Sequence, residues 1–144
     1  QLAIEDYGQA ILLDPDSESA YVNRALAYYD LGQHRRAIQD LDQTIRINPY
    51  LSEAYNNRGI AYSDLGQHQR AIQDYDYAIK LDPNYSSAYY NRGMAYIDLR
   101  KVERGIQDCG QAIKLRQRPG YQANTGLCRS LLQGQLSKPK GDED

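Results

Sequence analysis

This chain has no phenylalanine and no tryptophan, a single methionine and only two cysteines. Its mean hydropathy is −0.77, and no apolar run nears the roughly 20 residues of a membrane-spanning helix. Membrane insertion is therefore not expected. Lys and Arg number 17 against 19 Asp and Glu, a formal net charge of −2. With no excess of positive charge, nucleic acid is not an expected partner. The two cysteines, Cys109 and Cys128, form neither a CxxC pair nor a metal-ligand spacing, so neither a disulfide framework nor a zinc site is expected. Cys109 reads as a small buried hydrophobe. The sequence also lacks a phosphate-binding loop, GxSxG and HExxH. His34 and His68 are the only histidines. They fall at the same offset of adjacent units, roughly 10 Å apart, too far to share a metal, and read as exposed helix-start residues. No catalytic residue, metal or cofactor is expected.

What the chain does have is tyrosine, 14 of them, and a period. Tyrosine fills a core while its hydroxyl reaches water or a polar neighbour. Pro15, Pro49 and Pro83 stand 34 residues apart, as do Ala3, Ala37 and Ala71, and Tyr28, Tyr62 and Tyr96. Residues 18–51 and 52–85 align without gaps and are identical at more than half their positions. Within a unit the apolar residues recur every three or four positions, as an amphipathic helix requires. In the second unit one stripe is Ala54, Tyr55, Ala61, Tyr62 and Leu65, and the next is Ala71, Ile72, Tyr75, Ala78 and Ile79. Gly66 suits the left-handed end of the first helix, and Pro83 stops the second. Each unit is thus a helix–turn–helix pair, and self-similarity at this period points to a repeat array.

A 34-residue helical hairpin ending in Asp-Pro, with small and aromatic residues at these offsets, resembles the tetratricopeptide repeat. The AYxNRG…LGQ…RAIQDYD style resembles bacterial, especially cyanobacterial, repeats. The resemblance covers roughly residues 1–118. It implies an all-α, right-handed superhelical solenoid of antiparallel helix pairs. Residues 1–17 are expected to be the second helix of a truncated repeat. Residues 18–51, 52–85 and 86–119 are three units, the last atypical because Arg100 replaces Gly32 and Gly66 and Gly105 replaces Ala37 and Ala71. Residues 120–135 are expected to form a C-terminal capping helix, and 136–144 a disordered tail.

The family geometry implies that first helices line a concave groove. Asn23, Asn57 and Asn91 then recur once per unit, each offering one acceptor and two donors, the complement of a peptide bond. Two readings stand side by side: contact with a ligand backbone, or hydrogen bonding within the scaffold. Val22, Asn56 and Tyr90 share one groove offset, Leu26, Ile60 and Met94 a second, and Tyr29, Ser63 and Ile97 a third. Asp30, Asp64 and Asp98 add an acidic edge. No Lys or Arg stands at these offsets, so the carboxylate clamp of chaperone-binding relatives is not expected. Arg24, Arg58 and Arg92 are instead expected to pair with Asp40, Asp74 and Asp108 inside each hairpin, their stems against tyrosines.

The expected function is a protein-interaction scaffold that holds an extended peptide segment of a partner. The alternatives are a self-assembly module, forming homo-oligomers through the uncovered N-terminal helix, and a regulatory arm of a larger enzyme. The compartment is open, with a soluble cytoplasmic setting as the first expectation.

Overall fold

The computed structural model describes residues 2–116 and 126–136. All regular structure among them is helical: α1 (Leu2–Leu13), α2 (Glu18–Asp30), α3 (His34–Ile47), α4 (Ser52–Asp64), α5 (His68–Leu81), α6 (Ser86–Asp98), α7 (Val102–Arg116) and α8 (Gly126–Leu136). The chain forms two units, Gln1–Pro83 with α1–α5 and Asn84–Asp144 with α6–α8. In the first, α2 packs on α3, α4 on α5, and α1 and α3 each lean on the helix that follows. In the second, α6 packs on α7 and α7 on α8.

The turns inside the hairpins share one chemistry. After α2, Gly32 takes φ +71°, its N–H donates to the Tyr29 carbonyl, and the Gln33 N–H donates back to Tyr28. Gly66 and Gln67 repeat this with Ser63 and Tyr62. This pair of bonds closes a helix through a left-handed residue. The atypical unit keeps the turn without the glycine: Arg100 has φ 61°, and Arg100 and Lys101 donate to Ile97 and Tyr96. The second helices end on an extended residue, Asn48 or Asp82, both at φ −132°. The proline that follows each favours that conformation.

The core is made of small residues. Ala25, Ala37, Leu41 and Ala54 form one cluster, flanked by Tyr28, Tyr29, Ile45 and Leu51. Residue sizes trade across the hairpins. Where the second helix carries Leu41, the first carries Ala25; where it carries the larger Tyr75, the first carries Gly59. A Cβ on Gly59 would lie 2.6 Å from the Tyr75 ring, so only glycine admits tyrosine there. Gly105 makes the same kind of room for Ile97, 2.5 Å from where its Cβ would stand.

The largest departure from expectation concerns the cysteines. Cys109 and Cys128 are not free thiols but a disulfide joining α7 to α8, with Cα atoms 5.2 Å apart. Cys109 is buried as expected, and so is its partner. Of the segment 120–135, expected as a helix, 126–135 is helical and α8 runs on to Leu136, the first residue of the expected tail, while 120–125 and 137–144 lie outside the described residues.

Two measurements follow from these features. Glycine adopts a left-handed turn without the cost of roughly 1–2 kcal/mol that a Cβ brings. Arg100→Gly is therefore expected to raise stability by about 1 kcal/mol in urea denaturation. The disulfide closes a loop with a sequence separation of 19, which in a chain-entropy account contributes about 3 kcal/mol. Cys128→Ala is expected to lower the urea midpoint accordingly, and dithiothreitol to lower that of the parent but not of the variant.

Candidate functional site

In each hairpin one arginine binds one aspartate through two parallel bonds. Arg24 donates from Nε and Nη2 to the two Asp40 oxygens at 2.8 and 2.7 Å. Arg58 does so to Asp74 at 2.8 and 2.6 Å, and Arg92 to Asp108 at 2.7 and 2.7 Å. The guanidiniums stack on tyrosines: Arg24 on Tyr21 and Tyr28, Arg58 on Tyr55 and Arg92 on Tyr89. The aspartates are nearly enclosed. Burial raises the Asp74 carboxyl pKa above its usual range, against the pull of Arg58. Burial alone would lower the Arg58 pKa, but the bonds to Asp74 and Asp42 raise it. These arginines belong to the scaffold.

Arg58 makes a third bond. Its Nη1 donates to Asp42 of the preceding hairpin at 2.7 Å, so it links α4 to α3 as well as to α5. One period earlier the residue at the Asp42 offset is Gly8, and a Cβ there would sit 3.8 Å from Arg24 Nη1. The α1–α2 junction thus lacks the carboxylate that the α3–α4 junction has.

With its arginines committed, the outer face of α2 and α4 presents amides, apolar side chains and carboxylates. Leu26, Tyr29, Asn57 and Ile60 line a mostly apolar pocket with Ala25, Ala37 and Leu41 as its floor, enclosing ≈ 320 Å³ of free space including its mouth. Leu26 is 39% exposed, the kind of apolar side chain a ligand can cover. The Tyr29 hydroxyl donates to Asp64 Oδ2 across the two helices, and its ring meets His34 edge-on at 5.0 Å. Burial first, then the bond to Asp64, pushes the Tyr29 pKa up to about 12.

The structure sorts the expected site residues as follows. Leu26, Asn57 and Ile60 meet in this pocket. Asn23 is exposed and Val22 half-buried, both on α2. Asn91, Tyr90 and Met94 are half-buried on α6 of the second unit. Asn56 is different: at 3% exposure it is part of the packing, not of an open surface. Tyr29, expected on the groove, lines the pocket, and its hydroxyl bond to Asp64, expected only at the groove edge, ties α2 to α4; no spacing in the sequence marks these two as partners. His34 and His68 begin α3 and α5 but are half-buried rather than exposed, His34 against Tyr29 and His68 within 3.3 Å of Ser63. Among the described residues no three His, Cys, Asp or Glu side chains gather as metal ligands. No described helix is long and apolar enough to cross a membrane.

Two predictions come from this geometry. Gly8→Asp places a carboxylate beside Arg24 and removes a helical glycine, and is expected to stabilise the chain by about 0.5–1 kcal/mol in thermal or urea denaturation. The fold holds Tyr29 neutral above its ordinary value of 10.0. The stability it lends is therefore complete below about pH 10 and is lost as pH rises through about 12. Ultraviolet titration should find Tyr29 ionising late in this range, with the more deeply buried Tyr75 later still, and Asp64→Asn should bring Tyr29 back toward its ordinary value.

Comparisons with known proteins agree with this architecture. Family models described as tetratricopeptide repeat match residues 52–85 and 75–107, and one described as TPR repeat matches 1–32 and 26–66. No curated protein sequence matches. Among solved structures, MamA is 26% identical with a TM-score of 0.75, over 79% of this chain and 67% of MamA; a second MamA structure is spanned over 62%. The first TPR of Spaghetti (RPAP3), bound to the HSP90 peptide SRMEEVD, is 26% identical with a TM-score of 0.73, over 86% of this chain and 97% of that one. The Sgt2 TPR domain from Aspergillus fumigatus, at 23% identity and a TM-score of 0.74 over 88% and 87% of the two chains, shares the fold. Helix pairs of constant period, a shared hairpin turn and matching family models together place this chain among the tetratricopeptide-repeat proteins, with their all-α solenoid fold.

Proposed function

We propose that the chain is a protein-interaction scaffold whose α2–α4 face takes an extended segment of a partner, one with apolar side chains and a Lys or Arg among them. One observation carries this reading: Leu26, Tyr29, Asn57 and Ile60 converge on an open apolar pocket while both arginines of these helices are engaged elsewhere. The pocket suits one aliphatic side chain. Asn57 at its rim, with Asn23 one period earlier, offers amides to a peptide backbone. Asp30 and Asp64 are exposed at the ends of α2 and α4, so charge near the pocket is acidic and favours a basic flank. The same residue types recur on α6 as Asn91, Tyr90 and Met94. The bound peptide of the RPAP3 neighbour, SRMEEVD, is acidic like the surroundings of this pocket and suits it poorly.

A peptide array that includes SRMEEVD tests the reading. Apolar peptides with Lys or Arg are expected to bind, SRMEEVD is not, and the double change Asn23→Ala and Asn57→Ala is expected to weaken binding at least tenfold with helical content unchanged. Leu26→Asp should abolish it. Equal binding by the parent and both variants, or a preference for SRMEEVD, would refute this assignment.

A further inference from the structure

A second row of arginines lies outside the forks. Near the start of α3, Arg36 stacks on Tyr28 at 5.5 Å, and near the start of α5, Arg70 stacks on Tyr62 at 5.7 Å. Each also donates from Nη1 to a glutamine of its own turn, Arg36 to Gln33 at 2.9 Å and Arg70 to Gln67 at 3.0 Å. In the second unit Arg104 stacks on Tyr96 at 5.6 Å. Arg36 and Arg70 are exposed, and no carboxylate among the described residues pairs with either. Their Nε and Nη2 donors are open to a ligand. The ring and the glutamine hold each guanidinium in place, so less side-chain entropy is lost when it binds.

The two cations stand at one offset of adjacent hairpins, roughly 10 Å apart. Between the turns lies an open hollow of ≈ 620 Å³ including its mouth, lined by Gly32, Gln33, His34, Arg35, Arg36 and Leu65. No carboxylate lines it, and Leu65 is its apolar wall. Glu5 of α1 shares an adjoining cavity with Arg36 but makes no ion pair with it.

We infer that this edge is a docking surface for an acidic amphipathic helix of a partner protein. Two carboxylates seven positions apart meet Arg36 and Arg70, and an apolar side chain midway between them covers Leu65. Charge complementarity and spacing select this occupant. Seven residues of helix rise about 10.5 Å, and positions three, four and seven residues on share one face. A phosphate backbone fits less well, because a formal net charge of −2 gives no broad positive field to hold it. This edge is opposite in sign to the surroundings of the α2–α4 pocket and shares none of its lining residues. Its test is therefore independent of the peptide-binding reading.

The probe is a fluorescein-labelled, alanine-based peptide of about 20 residues, long enough to hold its helix, with glutamates seven positions apart and a leucine midway. Fluorescence anisotropy with the intact chain is expected to show saturable binding. Arg36→Gln combined with Arg70→Gln should weaken it about tenfold, with helical content unchanged by circular dichroism. Moving one glutamate so that the two face different sides of the helix should weaken binding to the parent chain as much, an arm that needs no variant. The Asn23→Ala and Asn57→Ala double change should leave this binding unaltered. SRMEEVD is too short to place two side-chain carboxylates seven positions apart and is not expected to compete. Absence of saturable binding would overturn the inference, as would equal binding of the two peptides or equal binding by the parent and the arginine variant. Loss of binding in the asparagine variant would overturn it by placing the peptide in the pocket. Tighter binding of a thymidine oligonucleotide than of the peptide would do so by making a phosphate backbone the occupant.

Discussion

A guanidinium with its side chain 22% exposed, held by two parallel bonds to a carboxylate that is 7% exposed, tolerates little displacement. Both oxygens of Asp40 and two nitrogens of Arg24 are used at once, so the fork fixes distance, rotation and register between α2 and α3 together. The same fork recurs between α4 and α5 and between α6 and α7. Removing one partner would leave an enclosed charge unpaired, a change that costs about 3–5 kcal/mol in comparable sites. The alanine and glycine contacts depend on this register. Gly59 meets the Tyr75 ring at van der Waals range only if α4 neither slides nor rotates on α5.

Committing the arginines to the scaffold also shapes the surface. Each first helix carries one cation, and each of those cations is used inward. What remains outward on α2 and α4 is amide, apolar and acidic. The interaction chemistry of that face is thus set partly by subtraction, and it differs in sign from a surface built to hold carboxylates.

Much of this was legible in the sequence because the period repeats its own controls. Proline, glycine and alanine at fixed offsets gave the hairpins, and Arg and Asp recurring together gave the forks. Other features had no such controls. Nothing local marks Cys109 and Cys128 as a pair: they are 19 residues apart in helices that meet only once folded. Asn56 shares an offset with Val22 and Tyr90, and such variation reads as a ligand surface until burial is measured. The left-handed Arg100 shows the converse: a turn held by its neighbours' hydrogen bonds keeps its geometry when the residue best suited to it is absent.

The disulfide changes how α8 is held. Neighbouring units of a helical array ordinarily hold one another by packing alone. Here Cys128 of α8 is fully buried while Leu127 beside it stays 55% exposed, and a covalent bond to Cys109 adds to the packing of α8 on α7. Loosening of the packing between the two helices would therefore not part them: the bond keeps α8 within reach of α7 through any local opening, so that α8 can close again without a search.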